Sequence, residues 1–198
     1  MLISLSRKFI FVANLKSASS SIERALGSYA EFKVTQTQYG KHDELTAISK
    51  KFHWIKKYVP LEEFYIFGVI RDPIDFILSL YNFHTREGFD GKRHSSKGLS
   101  FDQFWEVWCG KSWQTRPQHR RFVDRTGKFQ MNHIVRFAEL NQQFPALCSR
   151  IGVTAQLGHA NISPDVLSRG DLTEEQISRI KVRYTDDYKF IDNLPRDI

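Results

Sequence analysis

Cysteine is scarce in this chain, and long apolar runs are missing. The two cysteines, Cys109 and Cys148, form no C-x-x-C pair, and neither lies at a zinc-ligand spacing from a histidine. The expectation is two buried thiols, with no disulfide framework and no structural metal. No run of about 18 apolar residues occurs, so no transmembrane helix is expected. The opening MLISLSRKFIFVANL carries its Arg7-Lys8 pair inside the apolar stretch rather than ahead of it. It reads as the first strand, not as a signal peptide, which makes a cytoplasmic location the expectation. Without a secretory signal, the Asn161-Ile162-Ser163 sequon reads as chance. Internal repeats, linkers and low-complexity tracts are also missing, so residues 1–198 read as one domain able to bury a sizeable core.

Charge is present in excess of one sign. Lys and Arg number 29 against 22 Asp and Glu, a net +7. Such a field favours anionic partners such as nucleotides, acidic glycans, nucleic acid or acidic membrane surfaces, without choosing among them.

The most informative stretch is Phe9–Ser21, FIFVANLKSASSS. An apolar β-rich run ends in Lys16. Five small residues follow (Ser17, Ala18, Ser19, Ser20, Ser21), and then a helical pattern begins. Small residues let backbone N–H groups approach an oxyanion, and the first turn of a helix offers N–H donors and a positive dipole end. Lys16 adds a point charge and the hydroxyls add donors. The loop is not the G-x-x-x-x-G-K-[ST] of nucleoside triphosphatases: its lysine comes first and it holds no glycine. The bland alternative is a Ser-rich turn capping an ordinary helix.

A second segment repeats the pattern. Tyr65–Ile70 is a near-continuous apolar run, as in a parallel strand buried on both faces. It ends in Arg71-Asp72-Pro73, where Asp72 suits an N-cap and Pro73 the first helical position. Ser79 lies eight residues beyond Arg71, about two turns into that helix. Two strand–basic–helix units in one chain point to one ligand with two separated anionic groups. The alternative makes Arg71 an ion-pair partner and Ser79 a helix-face residue.

The two segments together resemble the PAPS-dependent sulfotransferase family, especially its carbohydrate-type and bacterial members. The family's K-[TS]-[AG]-[SG]-[ST]-[ST] loop for the 5′-phosphosulfate falls on Lys16, Ser17, Ala18, Ser19, Ser20 and Ser21. Its R-D-P segment and following serine, which hold the 3′-phosphate, fall on Arg71 and Ser79, with Tyr81 also fitting. Weaker matches follow in order: Lys41-His42, Arg116-Pro117-Gln118, His133–Leu140, and Tyr184-Thr185-Asp186-Asp187 with Phe190. The chain departs from the pattern at Ala18 and Ser19, where glycines are common. Phe76 replaces a frequent second Arg, and Ala138 stands where Glu is usual, with Glu139 one place later.

The resemblance implies a P-loop-like three-layer α/β sandwich with a central parallel sheet. It also implies PAPS (3′-phosphoadenosine 5′-phosphosulfate) as co-substrate, a hydroxyl-bearing acceptor and no metal. Lys16 would serve the bridging oxygen; Arg71 and Ser79 would anchor the 3′-phosphate. The family's base is a His or Glu, often after the first helix, where His42 and Glu44 lie; His119 and His84 come next. The other histidines are His53, His94, His133 and His159. Arg116, Gln118 and Arg136 are candidates for the site rim. The basic loop Lys92, Arg93, His94 and Lys97 is a candidate for greeting an anionic acceptor, against the plainer reading of a solvated surface.

Two other classes compete. A nucleotide kinase would need the terminal G-K-[ST] and a magnesium-binding acid, and neither is evident. A non-catalytic basic module would bind acidic polymer through charge alone, but no nucleic-acid-binding motif supports it.

The coarse elements alternate strand and helix, which predicts right-handed crossovers and a parallel sheet with ligands beyond the strands' carboxyl ends. Strands are expected at Phe9–Asn14, Phe32–Thr37, Tyr65–Ile70 and His133–Phe137. Helices are expected at Ser20–Ala30, Glu44–Lys51, Pro73–Arg86, Phe101–Cys109, Ala138–Ile151 and Thr173–Phe190. A mobile loop is expected at Glu87–Gly98. The stripe Phe101, Phe104, Trp105 and Trp108 reads as core.

Overall fold

A computed structural model of the chain describes residues 1–37, 39–46, 60–123, 131–158 and 164–195. It is an α/β structure with a five-stranded mixed sheet and six α-helices among the described residues. The strands are β1 (Leu2–Ser4), β2 (Phe9–Val12), β3 (Phe32–Lys33), β4 (Tyr65–Ile70) and β5 (His133–Arg136), in the spatial order β3-β1-β2-β4-β5. The helices are α1 (Ser19–Leu26), α2 (Pro73–Phe83), α3 (Phe101–Trp108), α4 (Leu140–Arg150), α5 (Glu174–Arg183) and α6 (Thr185–Asp192).

The sheet is not parallel throughout. β2, β4 and β5 run parallel, with Phe11 beside Phe67 and Val69 beside Val135. β1 runs antiparallel to both β2 and β3. The reason is the connection: only residues 5–8 separate β1 from β2, and a parallel crossover needs a dozen or more. Lys8 takes φ +49° in that turn, and the Arg7 amide donates to Ser4 Oγ at 3.2 Å. The opening apolar stretch is thus a hairpin rather than one strand.

The parallel strands bury both faces. Phe9, Phe11, Phe67, Val69 and Val135 pack on α1 through Ile22 and Leu26, and on α4 through Phe144 and Leu147. Ile10, Val12, Ile66, Ile70 and Ile134 pack on the other side against Phe64, Phe122 and Met131. That two-sided burial is why these strands read as unbroken apolar runs. Gly68 is required by this packing: a Cβ there would lie 2.6 Å from the Phe122 ring. A third cluster joins α2, α3 and α5, and it absorbs the stripe Phe101, Phe104, Trp105 and Trp108 as core.

Several boundaries differ from expectation. The strand from Phe32 stops at Lys33, and α1 gives way to a 3₁₀ turn at Gly27–Tyr29. The closing helix is two helices broken at Tyr184, where the Thr185 hydroxyl donates to the Lys181 and Val182 carbonyls. Such back-bonding diverts the carbonyls that would continue a helix. The loop Glu87–Gly98 holds a 3₁₀ turn, and Ser96 anchors it by donating to the Tyr81 carbonyl at 2.6 Å. Cys148 is buried but Cys109 is only half-buried, and both thiols are free. The expected helix at Glu44–Lys51 lies mostly outside the described residues, as do His53, His159 and the sequon. No helix among the described residues is long and apolar enough to cross a membrane.

Candidate functional site

The carboxyl ends of β2 and β4 are neighbours in the sheet, so the segments that leave them meet. A cavity of about 820 Å³ opens there. Its wall includes every residue of Lys16–Ser21, together with Arg71 and Ser79. The two corners touch directly: Arg71 Nη1 donates to the Lys16 carbonyl at 3.2 Å.

The first corner is shaped by its backbone. Lys16 and Ala18 adopt left-handed conformations, φ 58° and 55°. Ala18 is the N-cap of α1, and no side chain caps that helix. The helix therefore presents its positive dipole end at the cavity wall. Lys16 Nζ lies 3.8 Å over the Phe83 ring, and the Arg86 guanidinium lies 4.5 Å over the same ring. Burial, then Arg86 and Arg71, pulls the Lys16 pKa down to about 7. A half-buried ammonium beside two guanidinium groups has its charged form disfavoured, and an anion beside it would restore that charge.

The second corner is built from side chains. Asp72 caps α2 by accepting from the Ile74 and Asp75 amides at 2.9 and 3.2 Å, and Pro73 opens the helix, as the sequence predicts. Arg71 stacks its guanidinium 4.4 Å over Phe137. Burial lowers its pKa, while Asp75 and Asp72 hold it up.

A buried amide network joins the corners. Asn14 Nδ2 donates to Ser17 Oγ (3.1 Å), Val69 O (3.1 Å) and Gln118 Oε1 (2.9 Å). Gln118 Oε1 also accepts from the Arg71 amide at 3.2 Å, and its Nε2 donates to the Arg71 carbonyl at 2.8 Å. The Gln118 and His119 amides donate to Asp187 at 2.8 and 2.9 Å, which fixes this segment to α6.

Lys41 and His42 complete one side of the cavity. Lys41 Nζ donates to Ser20 Oγ at 2.8 Å and pairs with Glu23. The nearest partner of His42 Nδ1 is the Ala13 carbonyl at 3.2 Å. A carbonyl only accepts, so Nδ1 carries the proton and Nε2 the lone pair of the neutral ring. Burial, with Arg121 and Lys41 nearby, lowers the His42 pKa to about 3. His42 is therefore neutral at pH 7, in a proton-accepting state of low basicity that an entering anion would raise.

The remaining candidates do not line this cavity. Glu44 lies outside the wall. His84 is buried among Phe89 and Trp108, and Gln114 Oε1 lies 3.1 Å from its Nε2. His119 Nδ1 pairs with the buried Asp187 at 2.6 Å. His133 faces Gln143. Arg136 donates to the Ile191, Leu194 and Pro195 carbonyls, a C-terminal clamp on α6. Arg116 reaches the Tyr39 hydroxyl. Lys92, Arg93, His94 and Lys97 are exposed, and Lys97 pairs with Asp90. Tyr81 turns away from the cavity and donates to the Leu99 carbonyl at 2.7 Å. Phe76 is core against Tyr184, so the departure at that position leaves no gap in the wall.

The structure adds residues that sequence reasoning missed. Asp75, Asn82, Phe83 and Arg169 line the cavity, and Arg169 pairs with Asp72 (2.6 Å) and Asp75 (3.1 Å). Nothing local marks Arg169, because its partners lie more than ninety residues away. Among the described residues, no group of three or more His, Cys, Asp or Glu is arranged to hold a metal. Comparison with protein families finds no family model that matches the chain, and comparison with curated proteins finds no match.

Proposed function

We propose that the chain is a PAPS-dependent sulfotransferase that moves a sulfuryl group to an acceptor hydroxyl. The observation that carries this reading is the meeting of the Lys16–Ser21 loop and the Arg71–Ser79 corner on one cavity wall. An 820 Å³ space is within the usual range for a nucleotide-sized ligand. Its cations suit a nucleotide with phosphate at both ends of the ribose. The fold-level part of the proposal is a P-loop-like three-layer sandwich, supported by apolar clusters on both faces of the parallel strands. The cytoplasmic setting belongs to the same proposal.

In the transfer, the acceptor oxygen bonds to sulfur as the bond from sulfur to the bridging oxygen breaks, and that oxygen leaves on the nucleotide phosphate. Lys16 leaves the Phe83 ring for the bridging oxygen and stabilises its growing charge. Backbone amides of the Ser17–Ser21 loop, with the Ser20 and Ser21 hydroxyls, bind the phosphosulfate. Arg71 and Ser79 hold the 3′-phosphate and set the register of attack. His42 Nε2 accepts the acceptor's proton, made more basic by the polyanion beside it.

The test is PAP (3′-phosphoadenosine 5′-phosphate) release from PAPS in the presence of a panel of hydroxylated acceptors, followed by mass spectrometry. Acceptor-dependent PAP formation is expected. ATP turnover in magnesium with no reaction of PAPS would favour a kinase and overturn the proposal.

A further inference from the structure

We infer that Asn14 and Gln118 act as a positioning pair that fixes the separation of the two anion corners and so selects a doubly phosphorylated nucleotide over a singly phosphorylated one. The inference rests on the two-phosphate reading of the cavity. Both side chains are buried, with Asn14 1% and Gln118 0% exposed, so neither is placed to bind ligand. Their hydrogen bonds run to the loops instead. Asn14 holds Ser17 of the first loop and Val69 at the end of β4. Gln118 holds the amide and carbonyl of Arg71, and the two amides bond each other at 2.9 Å.

This arrangement constrains a distance, not one binding site. Each corner also has its own support: the left-handed turn at Lys16 and Ala18 on one side, the Asp72 cap on the other. Weakening the amide pair leaves those supports in place but lets the corners drift relative to each other. A ligand gripped at one corner then loses little. A ligand gripped at both loses the pre-organisation that made its second contact effectively intramolecular. A buried amide left without its partner is unfavourable in any state, so the pair is also stabilising, and the test must separate the two effects.

The experiment compares dissociation constants for PAP and for 5′-AMP, by calorimetry on the full chain, in wild type, Gln118→Met and Asn14→Ser. Ile151→Val, a core change away from the cavity wall, serves as a control for general destabilisation. The expected result is a wild-type preference for PAP that falls about tenfold in both amide variants. That fall comes from weaker PAP binding, while AMP affinity shifts by no more than about twofold. Ile151→Val lowers the melting temperature and keeps the preference. A preference that survives in the folded amide variants overturns the inference alone, and Asn14→Ser decides if Gln118→Met does not fold. A wild type that binds PAP and AMP equally overturns the two-phosphate reading itself, and the inference with it.

Discussion

The corner at residue 16 and the corner at residue 71 share a plan of strand, loop and helix, yet they present different chemistry to the cavity. At the first, α1 starts on a left-handed Ala18 with no side-chain cap, so in the proposed reading the backbone and the helix dipole would be the gripping surface. At the second, the Asp72 carboxylate already occupies the helix end by accepting from the Ile74 and Asp75 amides. In the proposed reading an anion there would meet side chains, Arg71 and Ser79, rather than backbone. On that reading the second corner would be sensitive to side-chain deletion, whereas at the first Lys16 would supply the charge that acts on the reacting atoms.

Lys16→Ala should break the comparison most severely. Turnover from PAPS at saturating nucleotide should fall about 10²–10³-fold, the usual loss when a group facing developing charge is removed, with the circular-dichroism spectrum retained. Wild-type turnover would remove Lys16 from the chemistry. Arg71→Ala should weaken PAP binding about 10–100-fold, as expected for charge-assisted hydrogen bonds, while kcat at saturation changes little. An unchanged dissociation constant would show that the second corner does not hold the nucleotide.

The pH dependence differs as well, because the first corner holds a lysine whose pKa is brought near neutrality. Lys16 has a pKa of about 7 in the folded protein against 10.5 for an ordinary lysine. Between those values the unfolded chain binds the extra proton, so this group's contribution to folding stability rises with pH. Nucleotide affinity runs the other way. As pH climbs above 7, the free protein loses the charge that the anion needs, and PAP binding should weaken by up to about tenfold per unit with proton uptake on binding. Calorimetry in buffers of different ionisation enthalpy measures that uptake. Lys16→Arg should flatten the slope, and a slope kept in that variant would assign it to another group.

Smaller effects should separate the helix starts. Asp72→Ala removes the cap of α2 and a partner of Arg169, and should lower unfolding stability by about 1 kcal/mol in urea titration. Ala18→Gly relieves the left-handed strain at α1 and should change stability by less than about 1 kcal/mol, in the stabilising direction. A large loss in Ala18→Gly would mean that the methyl group packs against something essential.

Much of this cavity is legible in the sequence. Tyr65–Ile70 and the Asp72-Pro73 start of α2 are written locally, in an apolar run and a cap, and the structure keeps them. The same local pattern puts the Lys16 loop and Arg71 at strand ends, and the parallel pairing of β2 with β4 brings them to one wall. The opening hairpin was not legible, because Leu2–Ser4 and Phe9–Val12 merge into one apolar stretch whose turn rests on a left-handed lysine. The break at Tyr184 is hidden for a similar reason: helical periodicity continues across it, and the Thr185 hydroxyl bonds back to the Lys181 and Val182 carbonyls there. Arg169 and the Asn14–Gln118 pair are matters of long-range contact, which no local pattern records. The family resemblance points to His42, but its tautomer and its low basicity come from the Ala13 carbonyl and from burial, which no local pattern records.

If both corners grip one ligand, a nucleotide titration will show it. Purified protein is titrated calorimetrically with PAP and, separately, with magnesium–ATP. Saturable one-to-one binding of PAP is expected, at least about tenfold tighter than that of ATP and weakened in both Lys16→Ala and Arg71→Ala. Equal or tighter binding of ATP, or PAP binding untouched by either substitution, would contradict it.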